Sequence, residues 1–224
     1  MKRSFAILLF AYFFSIASVI HADIDDITAK GYISVGIYYK DAFPFFFKSK
    51  EGTLQGCDID IAKEIAKELG VKLKINRTAK TFDQLTELVA EKKVDIVISW
   101  FSRSLTRAKK IRFTTPYFID TQVLLLNRLK AARFFKSNLL KALNNKSITV
   151  GTVKGTSYVQ FLKKSLPKCN IALYGSWTDC MKDVISGKIA AGLWTGIEIF
   201  ISMHNSPNIA IKVKPYPLKK KDYI

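Results

Sequence analysis

Few residues of this chain are equipped for bond-making chemistry. From residue 125 to residue 224 the acids are Asp179, Asp183, Glu198 and Asp222, and the whole chain has two histidines, His21 and His204. No Ser–His–Asp order, HExxH motif or GxxxxGK[ST] loop occurs. Proton-transfer catalysis needs a positioned acid or base, and Glu198 is the candidate that remains. Binding chemistry is better supplied. Lys154-Gly155-Thr156-Ser157 follows a β-branched run and opens an amphipathic one. Free N–H groups at a helix start attract an anion, so Thr156 and Ser157 are candidate contacts, although either also suits an N-cap. The three cysteines are Cys57, Cys169 and Cys180. An odd count leaves at least one free, and Cys169 and Cys180 are available to pair in an oxidising compartment.

The elements that must position these groups alternate between strand and helix. Ile33–Tyr38, Val71–Ile75, Val94–Ser99 and Ile119–Leu126 read as strands. Between them, Ile59–Leu69 is amphipathic with Ile61, Ala62, Ile65, Ala66 and Leu69 on one face, Asp58 as its N-cap and Gly70 as its stop. Phe82–Glu91 is a second helix, with Phe82, Leu85, Leu88 and Val89 turned inward. After a basic connection over 128–146 the pattern restarts. Ile148–Val153, Ile171–Tyr174 and Ile189–Trp194 are strands; Ser157–Ser165, Thr178–Ser186 and Gly196–His204 are helices. The alternation predicts an α/β architecture, and two units of similar pattern predict a cleft between lobes.

Met1–Ala22 has the basic, apolar and small-residue order of a cleaved secretory signal, with an uncleaved anchor as the weaker alternative. The remaining 23–224 is long enough for one large domain or two small lobes. The net charge is +18, and residues 125–224 carry 17 Lys and Arg against their four acids. Such a surface attracts anions; solvated lysine-rich faces account for it equally well. The export signal and the lack of any recognisable motif argue against nucleic acid.

Two segments carry a family resemblance. Gly52–Leu69, GTLQGCDIDIAKEIAKEL, and Ser99–Phe118, SWFSRSLTRAKKIRFTTPYF, resemble the extracytoplasmic solute-binding proteins of family 3, which feed polar amino acids to ABC importers. The resemblance implies a two-lobed periplasmic binding protein fold with lobe 1 over 23–126, lobe 2 over 127–212 and a truncated return at 213–224. It implies that Arg107 holds a ligand carboxylate, which suits a planar guanidinium fork; the alternative is a solvated charge among Arg103, Lys109 and Lys110. Ser102 falls where the family places a hydroxyl on that carboxylate. Phe82 aligns with one wall of the ligand slot, and Phe43 and Phe45 lie in the segment that supplies the other, with Phe46 and Phe47 as core. Thr156 and Ser157 lie in the turn that meets the ligand from lobe 2. Cys57 takes a buried apolar position.

The sequence departs from that pattern in three places. Thr195 stands where the family has the Asp that binds the ligand ammonium; a hydroxyl there carries no compensating charge. Glu198, one turn on, either substitutes for it or is exposed. Trp100 replaces a small residue whose backbone approaches the ligand, and its indole narrows the slot or stacks on the ligand. The sequence ends near the point where family members re-enter lobe 1, so the last lobe 1 strand and helices are expected to have no counterpart.

The function these residues favour is capture of a small carboxylate-bearing solute, an amino acid, for the membrane permease of an ABC importer. It would need no cofactor or metal and would act as a monomer. The basic half and Thr195 favour an acidic or non-amino ligand over Lys or Arg. A non-transporting remnant, a basic surface-binding protein, or a periplasmic dehydratase of the same fold using Glu198 are the alternatives.

Overall fold

The computed structural model of the chain describes residues 22–132 and 138–224. Nearly all of the expected signal segment lies outside the described residues. The elements, in order, are α1 (Ala22–Lys30), β1 (Tyr32–Gly36), β2 (Phe47–Lys48), β3 (Leu54–Gln55), α2 (Cys57–Glu68), β4 (Lys72–Asn76), α3 (Phe82–Ala90), β5 (Ile96–Val97) and α4 (Leu105–Ala108). There follow β6 (Ile119–Asn127), α5 (Arg128–Ala131), α6 (Leu139–Leu143), β7 (Thr149–Val153), α7 (Ser157–Ser165), β8 (Asn170–Tyr174), α8 (Trp177–Ile185) and β9 (Ala191–Thr195). After α9 (Gly196–Asn205) and a 3-10 turn (Pro207–Ile211) comes β10 (Val213–Tyr223).

Two larger sheets form the bodies of two lobes, beside a β2–β3 ribbon; β6 and β10 belong to the second sheet, and the end of β10 bonds back to first-lobe segments at Arg103 and Tyr117. The first is parallel in the order β4-β1-β5, with Val35 opposite Ile75 on one side and Ile96 on the other. The second is mixed, in the order β10-β6-β9-β7-β8: β7 runs parallel to β8 and β9, whereas β6 is antiparallel to both β9 and β10. Apolar runs explain the central strands. Val123 to Leu126 on β6 are all fully buried, as expected for a strand covered on both faces. Helix starts follow local chemistry. The hydroxyls of Thr81, Ser104 and Ser176 accept the backbone N–H groups of Gln84, Arg107 and Asp179 and so cap α3, α4 and α8.

Helix α2 departs from expectation at its start. Its N-cap is Gly56, at φ +123°, where a Cβ would lie 2.4 Å from the Phe45 carbonyl oxygen; only glycine fits so close an approach. Asp58 is therefore not the cap. It shares the inward stripe with Ala62 and Ala66 and is fully buried, where its carboxylate accepts the Trp100 N–H at 2.6 Å and the Tyr117 hydroxyl at 2.9 Å. Cys57, expected in the core, points outward one position before it, and all three cysteines are free. Among the described residues, no helix is long and apolar enough to cross a membrane.

Desolvation pushes the Asp58 carboxyl up from 3.8 to about 6, against the pull of its two donors. The fold thus favours its neutral form. That increment of stability is present below pH 3.8 and is lost as pH rises through about 6. Asp58→Asn is expected to remove it. In urea titrations, lowering the pH from 7 to 4 should favour the fold of the parent by about 2–3 kcal/mol more than that of the variant. An unchanged difference would mean that Asp58 titrates normally in the fold.

Candidate functional site

The buried guanidinium of Arg107 anchors the cleft. Arg107 sits on α4, a single turn set by the Ser104 cap, and is 4% exposed. It donates to the Ser102 carbonyl at 2.8 Å and to Asp83 at 3.3 Å, and lies 4.2 Å from the Phe101 ring centroid. Burial pulls its pKa down, and the Asp83 carboxylate opposes that pull.

Aromatic rings line the slot beside it. Phe82 stacks on Tyr38 at 4.7 Å; Trp100 stacks on Phe45 at 4.9 Å and meets Trp194 edge-on at 6.2 Å. Trp194 in turn stacks on Trp177 at 5.8 Å and takes the edge of Tyr158. Trp100 has φ +46°, a left-handed conformation that is costly for an indole-bearing residue. The Asp58 carboxylate on its N–H holds it there. A bulky residue thus occupies a turn for which a small one is the simpler choice.

The second lobe presents the turn before α7. Thr156 stands at the N-cap position, but its hydroxyl donates to the Val153 carbonyl at 2.7 Å and caps nothing. The Gly155 carbonyl accepts the Asp83 N–H across the lobes at 3.1 Å.

Phe82, Trp100, Ser102, Arg107, Thr156 and Ser157 line one small cavity of about 20 Å³, together with Tyr158 and Trp194. Phe82, Trp100 and Trp194 also wall a wider space of about 110 Å³, together with Tyr38, Trp177, Glu198 and the charged pair Lys40 and Asp41 among others. Three expected residues sit elsewhere. Phe45 lies behind Trp100 and is 3% exposed. Phe43 is 59% exposed and packs edge-on against Phe47, away from the cavity that holds Arg107. Thr195 turns away: its hydroxyl donates to Asp120.

Glu198 is half-buried rather than fully exposed. It accepts the Trp194 indole N–H at 2.5 Å inside the wider space, and burial pushes its carboxyl up. Asp120 rests on the N-terminus of α9, where the Gly196 and Ile197 amides lower its pKa; burial prevails and lifts it to about 6. Asp222, on β10, accepts the Ser102 hydroxyl at 2.9 Å and the Tyr158 hydroxyl at 2.7 Å. Sequence reasoning overlooked Tyr158, Trp177, Trp194, Asp120 and Asp222. Tyr158 and Trp194 adjoin positions that were singled out; the reach of Asp222 depends on strand register and left no local signal.

The sequence model of the bacterial extracellular solute-binding proteins, family 3, matches residues 33–192. The chain belongs to this family. Among curated relatives, the arginine-binding periplasmic protein of Mannheimia haemolytica is 28% identical over 148 residues, 66% of this chain and 56% of its own length. Cyclohexadienyl dehydratase of Pseudomonas aeruginosa is 24% identical over 186 residues, 82% of this chain and 68% of its own. This family member therefore spans little more than half the length of some curated relatives. Among solved structures, an ancestral amino acid-binding protein described as a precursor of cyclohexadienyl dehydratase has a TM-score of 0.72 at 30% identity, covering 91% of this chain and 84% of that one. An arginine-bound, truncated arginine-binding protein from T. maritima has a TM-score of 0.70 at 28% identity, with 89% of each chain covered. Family members are extracytoplasmic, and the two-lobed architecture is theirs.

Gly155 has φ +70°, and a Cβ there would lie 2.7 Å from the Thr81 Cβ of the opposite lobe. Gly155→Ala is expected to hold the lobes apart, at a backbone cost of about 1–2 kcal/mol. Small-angle scattering should show a larger radius of gyration. A parental radius with the same loss of stability would limit the effect to backbone strain.

Proposed function

We propose that this protein captures a small carboxylate-bearing solute, an amino acid, and delivers it to the membrane permease of an ABC importer. One observation carries the reading: the buried Arg107 guanidinium and the hydroxyl-bearing residues Ser102, Thr156 and Ser157 converge on one cavity between the lobes. On this reading Arg107 grips the carboxylate through its planar fork. Phe82 and Trp100 wall the slot, with Phe45 as backing for Trp100. Thr156 and Ser157 meet the ligand as the second lobe closes. The chain divides into lobe 1 to residue 126, lobe 2 from 127 to 212 and a returning segment, with β6 as the crossing strand. It works as a monomer in the periplasm after loss of its signal.

The far end of the slot revises the ligand class. The wider space is walled by the aromatic rings of Tyr38, Phe82, Trp177 and Trp194 and carries the Glu198 and Asp41 carboxyls against the single ammonium of Lys40. Aromatic faces and an acid suit a cationic side chain, in keeping with the arginine-binding relatives. A cationic amino acid replaces the acidic ligand that composition favoured.

A ligand that binds only the folded state stabilises it by about 2.7 kcal/mol at one hundred times its dissociation constant. Thermal melting of the chain with a panel of amino acids is expected to show a shift with arginine or another cationic amino acid. Arg107→Ala should abolish that shift. A cooperative melt that no amino acid moves would favour a non-transporting remnant or a basic surface-binding role.

A second reading rests on Glu198. Its carboxyl is raised by burial within the slot, as a general acid requires, and cyclohexadienyl dehydratase is among the relatives. Protonated Glu198 would donate to a departing hydroxyl, which leaves as water when its C–O bond breaks, while the substrate loses a second group without its bonding electrons and that pair forms the new double bond. If the chain is such an enzyme, Glu198→Gln abolishes turnover of a cyclohexadienyl acid while binding survives. No turnover by the parent chain would leave the binding reading alone.

A further inference from the structure

A carboxylate of the protein itself already holds two hydroxyls beside the candidate carboxylate site. Ser102 lies between the first sheet and α4, whereas Tyr158 is on α7 of the second lobe, and both line the cavity that holds Arg107. One oxygen of Asp222 accepts both hydroxyls, at 2.9 Å and 2.7 Å. It therefore ties one lobe to the other at the place where a ligand carboxylate would do so. Neighbouring backbone bonds fix it there. The Tyr223 carbonyl accepts the Arg103 N–H at 2.9 Å, Ile224 exchanges backbone bonds with Phe118, and its carbonyl also accepts the Tyr117 N–H.

The arrangement is costly unless something repays it. Asp222 is 4% exposed and stands directly opposite Asp120 in the β10–β6 register, and like charges in that relation repel. Compensating groups include the two hydroxyls and the field of Arg107, on which Asp222 acts directly. The small cavity that Ser102, Tyr158 and Arg107 share is about 20 Å³, room for about one water; a second space of about 280 Å³ adjoins Arg107, Thr156 and Ser157 on the α3 side.

We propose that Asp222 is an intramolecular ligand: its carboxylate latches the two lobes together and competes with the solute carboxylate for the Ser102 and Tyr158 hydroxyls. The competition rests on the binding role proposed above, but the latch does not. A solute has to displace Asp222, so its apparent affinity is reduced by the fraction of molecules that are latched. Asp222 thereby sets the threshold concentration at which the cleft loads.

The test uses the full chain, Asp222→Asn and Tyr158→Phe, with two readouts. The three tryptophans of the chain all sit in the cleft, each 7% exposed or less, so acrylamide quenching without ligand reports opening. L-arginine is the titrant for calorimetry. The proposal expects stronger quenching in both variants and, in Asp222→Asn, L-arginine affinity raised tenfold or more. Parental quenching in both variants would overturn the latch. Weaker L-arginine binding in Asp222→Asn would overturn the competition and make Asp222 a ligand contact. If L-arginine binds neither parent nor variant, the ligand class fails and quenching alone decides the latch. If Asp222→Asn does not fold, Tyr158→Phe removes a donor to the same oxygen from the other lobe and decides it.

Discussion

A guanidinium withdrawn from water constrains everything around it. Burying a charge is costly unless partners meet it, and Arg107 is almost wholly enclosed. Its partners come from several parts of the chain: the Ser102 carbonyl, the Asp83 carboxylate at the start of α3, and the face of Phe101. Asp83 in turn gives its backbone N–H to Gly155 of the second lobe. The position of the second lobe and the satisfaction of the first lobe's central charge are thus one problem. The aromatic packing that surrounds it, from Phe45 through Trp100 and Trp194 to Trp177, keeps water out and strengthens each polar contact inside.

Much of the fold could be read from local signals, because local chemistry sets it. The helix starts at Thr81, Ser104 and Ser176 are hydroxyl caps, and α7 runs over the residues its amphipathic pattern marks. The errors share a cause. Asp58 was assigned to a cap because acids favour that position, yet it lies four residues before Ala62 and eight before Ala66, on the stripe that faces inward. Phase decided against residue type, and Cys57, one step away, was carried to the surface by the same rotation. Glu198 was judged by its charge, but it lies one turn from Trp194 and follows that indole into the slot. Pairings between distant strands were beyond local reading. That Thr195 faces Asp120, and that Asp222 reaches Ser102, depends on β6 meeting β9 and β10 in a particular register.

The distribution of charge carries a second lesson. The chain is strongly basic, and composition pointed to acidic partners. The groups that line or underlie the cleft are nevertheless acids: Asp120, Asp222 and Glu198, with Arg107 as the buried cation among them. Surface lysines are screened within a Debye length of about 8–10 Å, whereas buried carboxylates act on a ligand at short range with little screening. Net charge governs how such a protein meets surfaces and solutes at a distance; the few desolvated groups govern what it holds.

The irregularity in β10 between Pro217 and Lys221 has a consequence for how such a cleft changes over time. On either side of it β10 pairs regularly with β6, but four steps along β10 correspond to two along β6. Two residues are accommodated as slack, and because side chains alternate with a period of two, the faces of the strand stay in phase. Loss or gain of one residue within that slack would reverse the facing of everything beyond it and turn Asp222 out of the cleft. No core side chain on β6 or β9 would have to move. The composition of the binding slot can therefore be altered by chain length at a strand irregularity, through single-codon insertions and deletions that leave the slot's own residues untouched.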